Sequence, residues 1–245
     1  MICINSKAQQ PAGTFAITPK VGVAVSNFSG NMPVEIRYAK VNMEPTSPFY
    51  QEIAKYGAGT LAGAVGYSGN KSKTGFTAGV ECQYQFTSLF GLSLGVMYTQ
   101  EGAKYDTPEM PYVADHLNAN VDNLKINLDC ITLPVLANFY IWKGLALKAG
   151  IQPEFAVSRK VKGDFFLSYD GITNQSKLDS DANVKSFFLS VPVGVSYEYK
   201  NVVADFRYCF GLTNLKKQNM LDGSNNSSSA RSQLFTVTLG YKFEL

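Results

Sequence analysis

Apolar and polar residues alternate strictly over segments of about ten or more positions along this chain. In the first segment, the odd positions from Phe15 to Val25 are apolar or proline, and the even positions from Ala16 to Ser26 are small, polar or charged. Successive side chains of a β-strand point to opposite faces, so this pattern predicts a strand with one apolar face. The same reasoning predicts eight strands, at residues 14–26, 74–86, 91–104, 125–142, 145–160, 184–198, 201–213 and 232–245.

The connections between these strands alternate between long and short. The short ones are residues 87–90, 143–144 and 199–201, and the long ones are residues 27–73, 105–124, 161–183 and 214–231. Long loops on one side only are typical of barrels in an outer membrane. We therefore predict an all-β fold, in which residues 14–245 form a single transmembrane up-and-down antiparallel β-barrel of eight strands. Residues 1–13 are expected to be a signal-peptide remnant or an N-terminal tail.

The first long connection contains signals for further elements. Residues Val34–Val41 leave open an additional strand. Residues Ser47–Gly57 begin with an N-cap residue and a proline, carry an apolar stripe at helical spacing and end in glycine, which predicts a short helix.

Alternation alone does not decide which face of the barrel is outside. A soluble barrel of the lipocalin type buries its apolar face, whereas a membrane barrel presents that face to lipid. Here the apolar face carries bulky Phe, Tyr, Leu and Val, and the opposite face carries mainly Gly, Ala, Ser and Thr. Because an eight-stranded barrel has little interior room, we expect the small residues inside. An aromatic-rich soluble core is the alternative.

Aromatic residues concentrate at the ends of the apolar faces, near the short turns. Such rings suit a membrane interface, where an apolar body and a polar tip are both accommodated. We predict an aromatic girdle formed by Phe15, Tyr84, Phe86, Trp142, Tyr197, Tyr241 and Phe243, with Phe90 and Tyr199 close by.

Composition agrees with a strand-rich membrane protein. Aromatic residues make up 13% of the chain and charged residues 17%, below the roughly 25% charged content of soluble domains. No segment approaches the roughly 18 consecutive apolar residues of a spanning helix. The mean hydropathy of −0.06 would suit a soluble protein, but alternating strands give a membrane barrel the same average. The net charge of +3 is small and dispersed, which argues against a nucleic-acid partner.

Candidate catalytic and metal-binding residues are few. The single histidine, His116, lies in a predicted loop, so we predict neither a histidine-based triad nor a multi-histidine metal site. The four cysteines, Cys3, Cys82, Cys130 and Cys209, have no metal-ligand spacing and are interpreted as packing residues. Acidic residues of the third long loop, which are Asp164, Asp170, Asp179 and Asp181, match no calcium-binding spacing and are interpreted as solvated. We expect no enzyme activity and no cofactor.

Charged residues of both signs fall on the predicted inward face. Ions in a narrow lumen are costly unless they are paired, so these residues predict a salt-bridged plug, with a proton or ion path as the alternative. We expect Lys20 beside Glu81 on neighbouring strands, and Asp205 beside Arg207 on one face of one strand. The full predicted lumen cluster is Lys20, Glu81, Glu101, Lys148, Glu154, Asp205, Arg207 and Lys242, with Glu198 and Glu244 on the same face.

Several short motifs resemble the PorT-like outer-membrane β-barrel family. They are Pro19–Val23, Thr74–Gly79, Ile131–Leu136, Ala149–Pro153, Arg207–Asn214 and Leu239–Phe243, in that order along the chain. The resemblance implies an eight-stranded barrel in the outer membrane of a Gram-negative bacterium. It implies no catalytic site, because the family is defined by its barrel.

Function is therefore expected at the loops. Loops on a rigid scaffold commonly carry binding, so we predict a non-enzymatic, porin-like barrel of the cell envelope that acts as a binding, assembly or structural protein. Its expected partners are outer-membrane lipid and a protein that contacts the long loops. A small-solute or ion transport barrel is the main alternative, and a soluble ligand-binding barrel would require the two faces to be inverted.

Overall fold

The computed structural model describes residues 11–30, 34–36, 63–65, 70–105, 117–169, 172–215 and 229–245. No helix in this part of the chain is long and apolar enough to span a bilayer. The strands in it are β1 (Phe15–Ser29), β2 (Val34–Ile36), β3 (Gly63–Val65), β4 (Asn70–Gln85), β5 (Phe90–Tyr105), β6 (Leu117–Thr132), β7 (Val135–Trp142), β8 (Leu145–Tyr169), β9 (Ile172–Asp181), β10 (Phe187–Tyr199), β11 (Val202–Gly211), β12 (Arg231–Tyr241) and β13 (Phe243–Glu244).

The main sheet closes on itself into a barrel. Its strands pair antiparallel in the order β10, β11, β12, β1, β4, β5, β6 and β8, and β8 pairs with β10 to complete the ring. Strands β6 and β7 follow one another along one position of the ring, because both pair with β5 on one side and with β8 on the other. The ring therefore has eight positions, and the predicted eight-stranded antiparallel fold is confirmed.

Tight turns join the strands on one side of the barrel. Lys200 and Asn201 connect β10 to β11 with φ values of 46° and 69°. Positive φ at both central residues is the signature of the two-residue type I′ turn, whose twist matches that of the flanking strands. Gly144, with a φ of 77°, makes the corresponding turn between β7 and β8. The predicted short connections thus all lie at one end.

Side chains alternate between the outside and the lumen as predicted. Val21, Leu94 and Val157 are each more than half exposed on the outer wall. The small side chains of Ala16 and Ala146 are fully buried inside, where bulkier residues would not fit. The exterior is consequently an apolar surface around the whole ring.

The predicted fourth strand, 125–142, is interrupted. It consists of β6 and β7, separated by Leu133 and Pro134. Proline has no backbone N–H to give to the ladder, and here its carbonyl accepts a hydrogen bond from Gly95 N at 2.9 Å. The interruption therefore divides the strand without opening the barrel, because β6 and β7 keep the same two neighbours.

Two predicted long loops contain regular strands instead. β6 begins at Leu117, inside the predicted loop 105–124, and the predicted loop 161–183 is largely the hairpin of β8 and β9. β9 is mainly polar along its length, so hydrophobic alternation does not identify it, and the added residues of β6 alternate only over the short run Leu117–Val121. Backbone pairing and cross-strand charge pairs stabilise such strands in water.

The first long connection contributes β2 and β3, which pair with each other in a separate two-stranded sheet. The alternative of an additional barrel strand at Val34–Val41 is therefore wrong for Val34–Ile36. Residues 37–41 and the predicted helix Ser47–Gly57 lie outside the described residues.

The lumen is less uniformly polar than the sequence suggests. Large apolar side chains are fully buried in it toward the long-loop side, namely Phe28, Leu124, Ile126, Leu128, Phe188, Leu215 and Leu234. They lie on the long-loop side of the polar part of the lumen and are as fully buried as side chains in the core of a soluble protein. The predicted polar plug thus has an apolar cap.

Candidate functional site

Inward-facing positions of the barrel strands bring nine charged side chains into the interior. Each lies on the face that alternation assigned to the lumen, and each is almost completely removed from solvent. Among the described residues these are Lys20, Glu81, Glu101, Lys148, Glu154, Glu198, Asp205, Arg207 and Lys242. They divide into a central group of five, a pair near the short turns and a pair nearer the long loops.

The central group, which we call the ion cluster, comprises Lys20, Glu81, Lys148, Asp205 and Arg207. The Nζ atom of Lys20 lies 2.8 Å from Glu81 Oε1 and 3.0 Å from Asp205 Oδ2. The Nζ atom of Lys148 lies 2.9 Å and 2.7 Å from the same two atoms. Arg207 places Nη2 2.6 Å from Glu81 Oε2 and Nε 2.6 Å from Asp205 Oδ1. Every cation therefore contacts both carboxylates.

The ion cluster spans the lumen rather than following one wall. Lys148 on β8 stands across the ring from Lys20 on β1, with three strands between them on either side. Both amines meet at the carboxylates of β4 and β11, and each of the five residues is at most 6% exposed. Buried charges are tolerated when they are paired and hydrogen-bonded, as they are here. The cluster thus ties four strands together across the lumen.

Polar contacts continue toward the short turns. Lys242, the residue between β12 and β13, donates to Glu198 near the end of β10. Gln83 Nε2 donates to the hydroxyl oxygen of Tyr140 at 2.7 Å, and Asn138 Nδ2 donates to Ser93 Oγ at 3.0 Å. Side chains therefore occupy the lumen at this level too.

Toward the long loops, Glu101 and Glu154 are the buried charged residues. Ser232 Oγ donates to Glu101 Oε2 at 2.9 Å, and Gln152 Nε2 donates to Glu154 Oε1 at 3.1 Å. Ser190 Oγ also donates to Glu154 Oε1. These two carboxyl groups make no ion pair with any cation that the structure describes.

A cavity of about 20 Å³ lies beside Arg207 of the ion cluster and beside Gln152, which donates to Glu154. Its walls include the hydroxyl groups of Thr77, Thr99 and Thr132, together with Gln152 and Arg207. A polar space of this size accommodates about one water molecule. It is far smaller than a passage for a hydrated ion or a nutrient.

All eight residues of the predicted lumen cluster are buried in the interior, and five of them form the ion cluster. The two expected neighbours, Lys20 with Glu81 and Asp205 with Arg207, are in contact. Glu244 was expected on the same face, but it is exposed, because β13 lies at the open rim of the barrel.

Two acidic residues of the third long connection, Asp179 and Asp181, lie beside lysines, whereas Asp164 accepts a hydrogen bond from Asn123. Lys160 and Asp181 pair at 2.9 Å across the β8–β9 hairpin, and Lys162 and Asp179 approach to 3.8 Å. The hydrogen bond between the first two raises the pKa of Lys160 and lowers the pKa of Asp181. Both pairs are exposed to solvent.

Other candidate ligands do not assemble either. No group of three potential metal ligands occurs among the described residues. Cys82, Cys130 and Cys209 are free, and the last two are buried. His116, Asp170 and Cys3 lie outside the part of the chain that the structure describes.

The residues predicted as an aromatic girdle are exposed on the outer wall, close to the short turns. Phe15 pairs with Tyr84 across β1 and β4, and the rings of Tyr241 and Phe243 contact each other in a tilted arrangement with centroids 4.9 Å apart. Trp142, directly before the turn at Gly144, is 70% exposed. The ring of exposed aromatic side chains is continuous with the apolar wall.

Sequence reasoning did not identify the uncharged partners of the lumen charges. The carboxyl groups of Glu101 and Glu154 accept hydrogen bonds from Ser232, Ser190 and Gln152, and threonines line the cavity. Their inward position followed from alternation, but serine and threonine are common on that face. Only the strand-to-strand register distinguishes those that contact a charge.

Comparison with known proteins identifies the type of barrel. A family model described as an outer membrane protein beta-barrel domain matches residues 7–217. No curated protein matches the chain.

Solved structures with similarity to this chain are outer-membrane proteins of low sequence identity. Ail, the attachment invasion locus protein of Yersinia pestis, is 13% identical, with 95% of this chain and 99% of that chain covered and a TM-score of 0.38. OprG of Pseudomonas aeruginosa is 12% identical, with 96% and 98% covered and a TM-score of 0.41. The outer membrane protease OmpT of Escherichia coli is 11% identical, with 98% and 99% covered and a TM-score of 0.29. Likeness at this level supports no conclusion about function.

Proposed function

This chain belongs to the outer membrane protein beta-barrel domain family, and we propose that it is a non-enzymatic barrel with a closed lumen that acts through its long-loop side. The protein resides in the outer membrane. In this proposal the barrel is a rigid scaffold, and the segments that extend from it bind a protein of the cell envelope or hold an assembly in place.

The ion cluster is the observation that carries the proposal. Its three cations and two carboxylates meet in the middle of the lumen, at distances of 2.6 to 3.0 Å. To open a path, an ion or solute would have to separate several buried pairs at once. Breaking one such pair by removing a partner already costs about 3–5 kcal/mol. An eight-stranded barrel also has only enough interior room for its own side chains.

The β8–β9 hairpin supports binding on the long-loop side. β8 runs for 25 residues, well beyond the about 9–11 residues that a strand needs to cross a bilayer. β9 pairs with β8 through ten residues, and β6 pairs with the other edge of β8. These three strands form a stiff extension of the barrel wall. Exposed side chains on β9, such as Thr173, Gln175 and Lys177, are available to a partner.

Further support comes from the sequence motifs and the outer wall. The motifs from Pro19–Val23 to Leu239–Phe243 favour the PorT-like branch of outer-membrane barrels, which has no characteristic catalytic site. The aromatic girdle would seat the barrel in lipid at the level of the short turns. Neither feature provides a nucleophile, a general base or a metal.

Conductance in planar lipid bilayers tests the closed lumen. The purified wild-type barrel is expected to give no stable channel current. Arg207→Glu serves as the diagnostic variant, because it reverses one charge of the ion cluster. A steady wild-type current whose ion selectivity changes in Arg207→Glu would overturn the closed lumen and establish the transport alternative.

Site-specific photo-crosslinking tests the binding surface. A photoreactive amino acid at Thr173 or Lys177 should capture an envelope protein in intact cells. The same amino acid at Lys200, in a short turn at the opposite end, is the matched control and should not capture that protein. Equal capture at both ends, or none on the β9 side, would contradict a binding role for the hairpin.

A further inference from the structure

The outer half of the lumen holds two acidic side chains that the ion cluster does not use. Glu101 on β5 and Glu154 on β8 are completely or almost completely buried, and their carboxyl groups lie within hydrogen-bonding reach of each other. Ser232 donates to one oxygen of Glu101, whereas Ser190 and Gln152 donate to one oxygen of Glu154. The remaining oxygens, Glu101 Oε1 and Glu154 Oε2, have no hydrogen-bond partner.

The strands around this pair offer little charge compensation. Leu128 on β6 lies directly opposite Glu101, and Phe188 on β10 lies directly opposite Glu154. Both of these apolar side chains are fully buried. The pair therefore sits at the boundary between the polar lumen and its apolar cap.

The nearest cation and thiols do not neutralise the pair. Lys73 on β4 is half-buried, and its Nζ donates to the backbone carbonyl of Glu101 at 2.9 Å rather than to the carboxyl group. Asp129 on β6 also attracts Lys73. The thiols of Cys130 and Cys209 face the pair from β6 and β11, and neither is a source of positive charge.

A count of the buried charges gives an independent argument. Four cationic and five anionic side chains are buried among the described residues. The ion cluster carries one excess positive charge, and Lys242 balances Glu198. If both Glu101 and Glu154 were ionised, the interior would hold one uncompensated negative charge. One bound proton on the pair makes the buried charges balance.

We propose that Glu101 and Glu154 bind a single shared proton at neutral pH. Two ionised carboxylates in contact repel each other strongly in a buried site, and one proton removes that repulsion. The protonated carboxyl then donates to the other one, which gives a partner to oxygens that otherwise have none. The shared proton is thus a bound ligand of the barrel interior, and this inference goes beyond the proposed function.

A proton fits this place better than a metal ion. Calcium takes six to eight oxygen ligands, whereas the pair offers two oxygens that are not already used by donors. The described cavity of about 20 Å³ is lined by Gln152, Arg207 and threonines, and the two glutamates are not among its walls. A proton needs neither additional ligands nor space.

The shared proton holds four strands together. Glu101 is on β5, Glu154 on β8, Ser190 on β10 and Ser232 on β12, so the hydrogen-bonded group links β5 to β8 and to β12, neither of which is its neighbour in the ring. Removal of the proton would leave two adjacent carboxylates and push β5 away from β8. We therefore expect the outer half of the barrel to loosen under alkaline conditions.

Infrared spectroscopy of the folded barrel in detergent tests the proposal directly. The wild type should show a protonated-carboxyl C=O band at neutral pH that disappears on alkaline titration. The band should be absent in both Glu101→Gln and Glu154→Gln. Glu198→Gln is the matched control, because Glu198 is paired with Lys242, and the band should persist there. A wild type without the band, or a band that survives both substitutions of the pair, would overturn the proposal.

Chemical unfolding as a function of pH provides a second measurement. The unfolding midpoint of the wild type should fall between neutral and alkaline pH, because the shared proton is lost. The midpoint of Glu154→Gln should be nearly constant over the same range, because the glutamine amide can donate to the carboxylate of Glu101 without a shared proton. An unchanged wild-type midpoint would contradict the inference. A protonated band lost on addition of calcium or sodium ions at neutral pH would show that the pair is a cation site instead.

Discussion

At the scale of single residues, the ion cluster distributes two negative charges among three positive ones. Removal of Arg207 leaves two cations and two carboxylates within the ion cluster, and each carboxylate still contacts both lysine amines. Removal of the charge of Asp205 leaves three cations around Glu81 alone. The two substitutions differ in their electrostatic consequence although their side chains are in contact.

This difference predicts the order of two stability changes. Asp205→Asn should lower the free energy of unfolding by about 3–5 kcal/mol, because it leaves uncompensated buried charge. Arg207→Ala should also be destabilising, through lost hydrogen bonds and a larger cavity, but by less than Asp205→Asn. Lys160→Ala, which breaks an exposed pair, is the control and should cost about 0–1 kcal/mol. Urea unfolding of the barrel in vesicles measures all three, and the reverse order of the first two would contradict the charge argument.

Gly102 illustrates a backbone requirement at residue scale. Its φ of 144° lies in a region that favours glycine, and a Cβ there would lie 1.9 Å from the carbonyl oxygen of Ile126. The hydroxyl of Ser26 donates to the carbonyl of Gly102 and accepts from its N–H, at 2.9 Å and 2.8 Å. Strand β1, which is separated from β5 by β4 in the ring, therefore stabilises the backbone at this point from across the lumen wall.

Gly102→Ala should destabilise the barrel by at least about 1 kcal/mol, because strain from φ adds to a steric clash. Gly163→Ala is a suitable control, since its Cβ would approach Asp122 O only to 3.2 Å. The midpoint of unfolding in urea, compared between the two variants, checks the prediction. Equal midpoints would show that the strand shifts to accommodate the methyl group.

The sequence predicted part of the site because of two simple rules. Alternation assigns each residue to a face, and antiparallel neighbours meet side by side, so Lys20 beside Glu81 could be expected. Whether Lys148 also contacts those residues depends on its position along the barrel axis relative to the strands on the opposite side of the lumen. That position is set by the stagger of the strands in the closed barrel, which no local sequence pattern encodes. The same reason explains why Glu101 beside Glu154 was not expected.

At the scale of elements, the strands that cross the membrane were predicted and those beyond it were not. Lipid requires an apolar outer face, so apolar residues recur at every second position of a membrane-spanning strand. β9 is mainly polar along its length, so its residues carry no such pattern. β9 is held instead by backbone pairing to β8 and by pairs such as Lys160 with Asp181.

The lipid-facing wall gives a prediction that depends on depth. Val193, in the middle of β10, points outward and pairs with Tyr208 and Ala149 on its two neighbours. Val193→Arg should cost about 2–4 kcal/mol, because it places a charge in the hydrocarbon layer. Val202→Arg is a matched control at the start of β11, beside the short turn, and should cost about 0–1 kcal/mol. Unfolding in lipid vesicles measures both, and equal costs would contradict the position of the wall in the bilayer.

At the scale of the whole molecule, the barrel has two different ends. One end has tight turns and exposed aromatic side chains, and the other has long connections, the β8–β9 hairpin and an apolar cap inside the lumen. In outer-membrane barrels the short turns face the periplasm and the long loops face the outside. The orientation of this chain is therefore open to a direct test with protease.

Trypsin added to intact cells should cut in the long connections and spare the short turns. Lys55 lies between β1 and β4, and Lys216 and Lys217 lie between β11 and β12, so cleavage there gives fragments of distinct size. Lys143 and Lys200 lie in the short turns and serve as internal controls, since they should become accessible only after the outer membrane is permeabilised. A tight turn can still resist cleavage for lack of local mobility, so a cysteine placed at Lys200 and treated with a membrane-impermeant maleimide provides the second readout. Labelling of that cysteine in intact cells, without labelling of one placed at Lys216, would mean that the barrel is inserted in the opposite orientation.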